Sequence, residues 1–276
     1  MTRVAVVQSC TGIDPAANAD ALTAALGRAA DGGAAIAFTP EMTGLLDRDR
    51  ARAAACIVGE DEDRVLATAR EVAARHGLWV QIGSLALRAE DGARSVNRGF
   101  LIDGAGAIRA RYDKLHLFDV DLPGGESWRE SSSYLAGERA VVAETPAGRL
   151  GMTICYDLRF PDLYRALSDA GATILAVPAA FTVPTGEAHW HVLLRARAIE
   201  AGAWVIAAAQ SGRHADGRTT YGRSLVVDPW GEVVLDMGEG EGVGFAEIDA
   251  ARIDEVRARV PALRHRRPIP RVEIAA

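Results

Sequence analysis

Apolar residues occur along the chain in short continuous runs that alternate with longer segments of helical character. The first run, Val4–Gln8, is short and unbroken, as is typical of a buried strand. The alanine-rich segment Ala16–Ala30 then ends before Gly32-Gly33, which predicts a helix stopped by glycine. The rest of the first half continues this order, with a helix predicted at Asp61–His76 and strands at Ala35–Thr39, Leu78–Leu87, Val96–Ile102 and Ile108–Tyr112.

The second half of the chain repeats the order of the first. Helices are predicted at Asp162–Ala170 and Glu187–Ala201, and strands at Ala140–Thr145, Leu150–Ile154, Ile174–Val177, Trp204–Ala209, Arg223–Val227 and Val233–Asp236. Corresponding residues of the two halves differ by 125 in number, as in the pairs Trp79/Trp204, Asp103/Asp228 and Gly106/Gly231.

A repeat of this length predicts one domain, residues 1–276, with an internal pseudo-twofold axis, rather than a solenoid. Buried strands separated by helices indicate layers with sheets inside and helices outside. Spacing alone leaves open whether there is one sheet or two.

Composition adds little beyond an ordinary globular class. Of 276 residues, 49% are hydrophobic and 25% charged, and the net charge of −6 favours neither nucleic acid nor an anionic membrane as partner. No apolar run approaches the roughly 20 residues of a membrane helix, and no leader pattern is recognisable. Three cysteines indicate a reducing compartment, so we expect the cytoplasm. One basic cluster, expected to be a solvated tail, comprises Arg264, Arg266, Arg267 and Arg271.

Cys155 stands where an apolar strand gives way to the polar residues Tyr156-Asp157. A nucleophile at a strand-to-helix junction is open to substrate. The amide of Tyr156 could then face an oxyanion, and the helix N-terminus would favour a thiolate. Many lone cysteines are instead core residues, so this position alone leaves both interpretations open. Cys10 and Cys56 lack such a setting and are expected to be structural.

Two charged residues have neighbours that suit catalysis. Glu41 follows the predicted strand Ala35–Thr39, and a carboxylate at the end of a buried strand can serve as a general base. Lys114 lies in the apolar and aromatic stretch Arg111–Phe118, where an ammonium group could neutralise an oxyanion. Taken singly, each could also be an ordinary surface residue.

The histidines offer a competing interpretation as metal ligands. However, His189 and His191 are two positions apart on a predicted helix and point in different directions, and His214 is remote in sequence. The chain has no HExxH, CxxC, GxGxxG or Walker pattern. We therefore expect no metal and no nucleotide cofactor.

Three segments together resemble the nitrilase superfamily of carbon–nitrogen hydrolases: residues 38–42 (FTPEM), 112–120 (YDKLHLFDV) and 154–161 (ICYDLRFP). The resemblance covers nearly the whole chain. Four further segments are similar to the Nit branch, with the Nit1-type deaminated glutathione amidases first and the Nit2-type omega-amidases second. These segments are residues 186–190, 193–200, 208–214 and 227–231.

The resemblance implies an α/β fold of four layers, an α-β-β-α sandwich, usually paired into homodimers and lacking a cofactor. It implies a catalytic triad of Glu41, Lys114 and Cys155. A second glutamate would be Glu130 in the motif Trp-Arg-Glu-Ser, with Glu126 as the alternative. Lys114 and the Tyr156 amide would hold the oxyanion. The residues expected to bind substrate are Arg159, Phe181, Thr185, His189 and Arg213.

The implied reaction is hydrolysis of a small carboxylate-bearing amide to acid and ammonia through a Cys155 thioester. Arg159 or Arg213 would pair with the substrate carboxylate, unless Arg159 forms an internal salt bridge with Asp157 or Asp162. One departure concerns Glu187, which replaces the proline of the Nit-type Gly-Pro-Ala-His-Trp segment. Either this carboxylate points away from the pocket or the substrate differs. The alternatives are hydrolysis of nitriles, N-carbamoyl compounds or aliphatic amides, a catalytically silent binding protein, and a metal hydrolase.

Overall fold

The computed structural model describes residues 1–121 and 127–274. Glu126, the alternative second glutamate, lies outside the described residues. Across the described part of the chain, no helix has the length and apolarity needed to cross a lipid bilayer.

Four of the helices begin at residues whose side chains satisfy free backbone N–H groups. Aspartate is the cap in all four, with Asp14, Asp49, Asp63 and Asp249 accepting from the first turn. The α-helices of the described residues are α1 (Pro15–Asp31), α2 (Arg50–Cys56), α3 (Arg64–His76), α4 (Pro161–Asp169), α5 (Val183–Ala201) and α6 (Ala250–Arg259). The pattern of apolar residues did not predict α2 and α6. Helix α5 starts four residues before the predicted Glu187, because a proline is well suited to the first turn.

The strands form two large sheets and two small hairpins. The first sheet has the order β17-β1-β2-β3-β4-β5, with β8 beside β4. Its strands are β1 (Thr2–Gln8), β2 (Ile36–Phe38), β3 (Trp79–Arg88), β4 (Ser95–Ile102), β5 (Ile108–Asp113), β8 (Tyr134–Leu135) and β17 (Gly242–Ile248). The second sheet has the order β16-β15-β12-β11-β10-β9. Its strands are β9 (Val141–Thr145), β10 (Gly148–Met152), β11 (Ile174–Ala176), β12 (Trp204–Ala207), β15 (Leu225–Val227) and β16 (Val233–Asp236). The hairpins pair β6 (Asp119–Asp121) with β7 (Ser127–Arg129) and β13 (Ser211–Arg213) with β14 (Thr219–Tyr221).

The two sheets repeat the same pairing scheme, which confirms the predicted internal repeat. Starting from β17 or from β9, successive strands pair antiparallel, parallel, parallel, antiparallel and antiparallel. Trp79 of β3 pairs with Ile36, and Trp204 of β12 pairs with Ile174. The structure thereby answers the question that spacing left open, because there are two sheets, and β17 from the second half of the chain completes the first of them.

Alternation along the strands builds the layers. Val4 and Val6 of β1 pack with residues of the second sheet, whereas Ala5 between them packs in the cluster under α1 and α3. The outer face of the second sheet is covered by α4, α5 and α6 through apolar side chains such as Leu194 and Ile253. The result is the expected α-β-β-α sandwich, and its strand ends meet at one edge.

The predicted solvated tail is wrong for one of its arginines. The Arg266 side chain is only 22% exposed, and its guanidinium group pairs with the Asp169 carboxylate. It also contacts the Ser168 hydroxyl and the Glu200 carbonyl. Arg266 therefore fastens the chain after α6 to α4 and α5, which spacing in the sequence could not indicate.

A glycine in β3 sets the position of the turn that carries Glu41. Gly83 donates its N–H to the Thr39 hydroxyl at 3.0 Å, and Ser84 donates to the Pro40 carbonyl at 3.3 Å. A Cβ on Gly83 would overlap the carbonyl oxygens of Thr39 and Pro40. Only glycine lets this turn lie so close to the strand.

We expect Gly83→Ala to destabilise the protein, because the added methyl group must displace backbone atoms. The free energy of unfolding should fall by about 1–3 kcal/mol, the usual cost of overpacking. Urea unfolding followed by circular dichroism measures it. The matched control is Gly27→Ala in α1, where the methyl group meets open space and should stabilise the helix by roughly 0.5–1 kcal/mol. Equal stabilities for the two variants would contradict this account of Gly83.

Candidate active site

Three predicted site residues lie just beyond the carboxyl ends of strands. Glu41 follows β2 by three residues, Lys114 follows β5 directly, and Cys155 follows β10 by three residues. Because β2 and β5 belong to one sheet and β10 to the other, stacking the sheets brings the three residues together. Glu130 joins them from the short 3-10 turn Glu130–Ser132. All four lie at the floor of one cavity.

The Lys114 ammonium group lies between two carboxylates. Its Nζ donates to Glu41 Oε1 at 2.8 Å and to Glu130 Oε2 at 2.9 Å. Burial, with the residue 2% exposed, disfavours the ammonium form. The charges of Glu130 and Glu41 outweigh burial and hold the pKa of Lys114 well above its usual range. Lys114 therefore carries a permanent positive charge at neutral pH.

The two carboxylates differ in how many of their acceptor positions are occupied by hydrogen bonds. Glu130 Oε2 accepts from Lys114 and from the Phe118 N–H at 2.6 Å, and Oε1 accepts from Lys114 and from Asn97 Nδ2 at 3.2 Å each. Four contacts occupy all the acceptor positions of a carboxylate. Glu130 is thus built to hold Lys114 in place, with no lone pair left to take a proton.

Glu41 retains one free acceptor position. Its Oε1 accepts from Lys114 and from Asn97 Nδ2 at 2.9 Å, whereas Oε2 accepts only the Ala180 N–H at 3.0 Å. The Ala180 N–H is also a hydrogen-bond donor to the Cys155 sulfur. Because the same N–H binds Oε2, Oε2 is the Glu41 oxygen on the side of the thiol. Neither Asn97 nor the Ala180 amide belongs to a motif that the sequence reveals.

Cys155 is held in an unusual backbone conformation. Its φ of 49° is left-handed, which is rare for a residue with a side chain. Its own N–H donates to the Pro178 carbonyl at 2.8 Å, so it is not available to an oxyanion. The N–H of Tyr156, by contrast, has no backbone acceptor among residues 1–121 and 127–274. Tyr156 lines the cavity.

The structure does not support the predicted stabilisation of a Cys155 thiolate by a helix N-terminus. Cys155 begins the 3-10 turn Cys155–Arg159, and α4 starts only at Pro161. Burial and the negative charge of Glu41 raise the pKa of the Cys155 thiol well above its usual range, against the opposing effect of Lys114. The resting group is therefore a neutral thiol that needs a base.

Asp157 fastens the segment of Lys114 to the turn of Cys155. This fully buried carboxylate accepts from the Tyr112 hydroxyl at 2.7 Å, from the His116 N–H at 3.0 Å and from the Ile154 N–H at 2.9 Å. Tyr112 and His116 flank Lys114 by two residues on either side. The predicted alternative, an ion pair between Arg159 and Asp157 or Asp162, does not form within the described residues.

A cavity of about 830 Å³ opens above the thiol. The described residues that line it include three acidic and eight basic side chains, the latter being Arg48, Arg50, Arg88, Arg94, Lys114, Arg129, Arg159 and Arg218. This lining is strongly cationic although the chain as a whole carries a net charge of −6. Low-dielectric walls with one sign of charge attract ligands of the opposite sign.

The predicted substrate-binding residues are only partly brought together. Arg159, Phe181 and Thr185 line the cavity, and the Arg159 guanidinium lies 5.5 Å from the centre of the Phe181 ring. His189 lies outside the lining and contacts Arg159 from behind, 3.3 Å from its Nη1. It therefore supports Arg159 rather than facing the cavity.

Arg213 does not reach the cavity. It is exposed on the β13–β14 hairpin, outside the cavity, whereas Arg218 on the return of the hairpin lines it. Asp216 holds Arg218 Nε at 2.6 Å, and the guanidinium lies 5.0 Å from the centre of the Trp128 ring. The Asp-Gly turn signal at residues 216–217 was the clue that the chain reverses here.

Glu187 and the remaining histidines lie away from the cavity lining. Glu187 is exposed on the outer side of α5, which decides between the two alternatives left by the sequence. His191 pairs with Asp236 at 3.0 Å. His214 is buried between the Thr11 carbonyl and the Thr220 hydroxyl. Among the described residues, no three His, Cys, Asp or Glu side chains are arranged to hold a metal ion.

We expect the resting Cys155 thiol to stay protonated up to about pH 9, because burial and Glu41 both oppose the thiolate. The measurement is thiolate absorbance at 240 nm between pH 6 and 10, taken as the difference from Cys155→Ser. Replacing Glu41 by Gln removes the negative charge but keeps Lys114, so the titration should move to lower pH. A wild-type midpoint below pH 8 would contradict the assignment.

Comparison with known proteins identifies the family of the chain. The model of the carbon-nitrogen hydrolase family matches residues 3–258. The deaminated glutathione amidase of Yersinia enterocolitica is 46% identical over 200 residues, which are 72% of this chain and 70% of that one. The human deaminated glutathione amidase is 41% identical over 272 residues, covering 96% and 82% of the two chains.

Solved structures give the same result. The Caenorhabditis elegans NitFhit protein superimposes with a TM-score of 0.89 at 39% identity, covering 96% of this chain and 65% of that one. Saccharomyces cerevisiae Nit3, a member of branch 10 of the nitrilase superfamily, superimposes with a TM-score of 0.84 at 27% identity, covering 94% of each chain. The chain therefore belongs to the carbon–nitrogen hydrolase family of the nitrilase superfamily.

Proposed function

We propose that this enzyme hydrolyses the amide of a small, carboxylate-bearing substrate to the acid and ammonia through a thioester on Cys155. The observation that carries the proposal is the free acceptor position of Glu41 Oε2 beside a neutral, buried thiol. A base with one open lone pair, next to a nucleophile that must lose a proton, is the arrangement that nucleophilic catalysis needs.

The proposed reaction proceeds in two halves. Glu41 takes the thiol proton as the Cys155 sulfur bonds to the amide carbon, and the oxyanion is stabilised by a hydrogen bond from the Tyr156 N–H and by the positive charge of Lys114. The carbon–nitrogen bond then breaks as Glu41 returns the proton to the departing nitrogen, releasing ammonia and leaving the thioester. Water loses a proton to Glu41 and attacks the thioester, which yields the acid and restores the thiol. Glu130 keeps Lys114 in place throughout.

The cationic lining supports an acidic substrate. Arg159 has no carboxylate partner within the described residues, and Arg218 keeps its terminal nitrogens free of Asp216, which binds only Nε. Both guanidinium groups are stacked on aromatic rings, so a carboxylate would meet preorganised donors. The relatives named deaminated glutathione amidase make deaminated glutathione the first substrate to test, followed by other omega-amides.

The alternative reactions of the superfamily share the same thiol chemistry. Nitriles and simple aliphatic amides need no anion-binding arginines, so the lining favours the acidic amide over them. A silent binding protein would have no use for a buried base, ammonium and thiol held in contact. The cytoplasm remains a prediction.

A homodimer remains part of the proposal. Val192 and Ile199 are exposed on α5, and Trp230 and Val234 are exposed on the neighbouring β15–β16 hairpin. Ile199 lies against the turn of this hairpin at Gly231, so the four side chains belong to one face. Exposed apolar faces of this kind favour association, and a second copy of the chain is the partner that we propose.

Cys155→Ala should abolish release of ammonia from deaminated glutathione, lowering kcat by at least about 10³-fold, because the thioester cannot form. The control is Cys56→Ala, a free cysteine outside the cavity lining, which should keep wild-type turnover. Mass spectrometry of wild-type enzyme quenched during turnover should show the acyl group on Cys155. Full ammonia release by Cys155→Ala would overturn the mechanism, and turnover restricted to nitriles would overturn the substrate class.

Arg159→Ala and Arg218→Ala should each raise KM for the acidic amide by about 10–100-fold, the value of a charged hydrogen bond. Neither change should affect a neutral methyl ester of the same amide, because that substrate lacks the carboxylate. Arg213→Ala is the matched control, since this arginine lies outside the cavity. If all three variants have the same KM for the acidic amide, Arg159 and Arg218 do not bind the substrate carboxylate.

A further inference from the structure

Asn97 occupies a central position between the two catalytic-site carboxylates. It lies on β4, is 0% exposed and is absent from the cavity lining. Its Nδ2 donates to Glu41 Oε1 at 2.9 Å and to Glu130 Oε1 at 3.2 Å. Its backbone carbonyl accepts the Lys114 N–H at 3.0 Å. One residue therefore contacts three members of the site without reaching the substrate.

The orientation of the Asn97 amide follows from chemistry. Only the nitrogen end has two hydrogens to give, one to each carboxylate, and an oxygen facing two anions would be repelled. This orientation leaves the buried Oδ1 of Asn97 without a hydrogen-bond partner in the described part of the structure. A native protein rarely leaves such an atom unpaired, and unpaired atoms call for a functional reason.

We propose that Asn97 is a positioning residue that determines which oxygen of Glu41 acts as the base. Together with Lys114 it fills both acceptor positions of Oε1. Oε2 is left with the Ala180 N–H and one open lone pair on the side of the thiol. The proton of Cys155 therefore passes to Oε2 and returns from it, while Oε1 stays bonded throughout.

Lys114 alone does not fix this arrangement. Its ammonium group is divided between two carboxylates, so one positive charge faces two negative charges in a site shielded from water. The neutral N–H groups of Asn97 satisfy both carboxylates without cancelling the charge that makes Glu41 a base. An added positive charge would stabilise the anion of Glu41 further and make it a poorer base.

The test is Asn97→Asp, which keeps the shape and replaces the NH₂ group by oxygen. This role rests on the proposed function, so activity is measured with the same acidic amide. At pH 8 the new carboxylate is ionised and repels Glu41, and kcat should fall by about 10²-fold or more, the usual contribution of a general base. KM should stay within about twofold, because Asn97 does not line the cavity.

The pH dependence separates positioning from a merely structural effect. Two neighbouring carboxylates raise the pKa of an aspartate at this position. As the pH falls, the aspartate takes up a proton and can again donate a hydrogen bond to one carboxylate. The ratio of variant to wild-type kcat should therefore rise from pH 8 to pH 5.5. A ratio that is constant with pH, or a raised KM at unchanged kcat, overturns the proposal.

The matched control is Asn18→Asp at the only other asparagine of the chain. Asn18 is also buried, and its Nδ2 binds the Gly12 and Gly44 carbonyls outside the cavity lining. This variant should show no pH-dependent ratio. If Asn97→Asp does not fold, as judged by thermal unfolding, Asn97→Ser serves in its place. It removes the bridge without adding charge, and it should lower kcat at least about tenfold at unchanged KM.

Cys155→Ala, assayed in parallel, distinguishes failure of the proposed function from failure of the role proposed for Asn97. Turnover that survives in Cys155→Ala overturns the proposed function and the role of Asn97 with it. Lost turnover in Cys155→Ala together with normal kcat in both Asn97 variants overturns the role of Asn97 alone.

Discussion

The whole site depends on one ammonium group held between two buried carboxylates. Lys114, Glu41 and Glu130 together carry a net charge of −1 where almost no water reaches. Removing charges from water is costly, and an ion pair recovers the cost only if the remaining hydrogen-bonding positions are also filled. The protein fills them with neutral donors from separate elements, namely Asn97, the Phe118 N–H and the Ala180 N–H. The one position left open is the one that faces the thiol.

This constraint explains why the site lies at strand ends. Each charged group needs a rigid support whose backbone hydrogen bonds are already made elsewhere. The end of a buried strand provides such a support. Where the chain must leave a strand sharply it adopts strained conformations. Met42, next to Glu41, and Cys155 itself both have positive φ values, of 57° and 49°. The fold holds these turns with contacts such as that of Gly83 against Thr39 and Pro40.

Sequence patterns predicted the features that local periodicity and characteristic motifs determine. They placed Glu41 and Cys155 at strand ends, singled out Lys114 by its apolar surroundings and found the repeat, because these features are contained in contiguous segments. They missed β17, whose residues are neither alternating nor uniformly apolar and which belongs to a sheet built far away in sequence. They preferred Arg213 to Arg218, since the direction of an arginine depends on how a hairpin folds back. Asn97 is an ordinary polar residue of its strand and gained meaning only when two distant carboxylates met it.

The Asp157 carboxylate makes assembly and activity inseparable. It is fixed to the turn of the second sheet and accepts hydrogen bonds from residues on both sides of Lys114, which belongs to the first sheet. Neither half of the pseudo-repeat therefore contains a working site, and the first sheet also needs β17 from the second half. Turnover therefore requires that the two sheets are docked, because the residues of the site come from both. A chain that has formed all its helices and strands but not this interface would look native by circular dichroism and be catalytically dead.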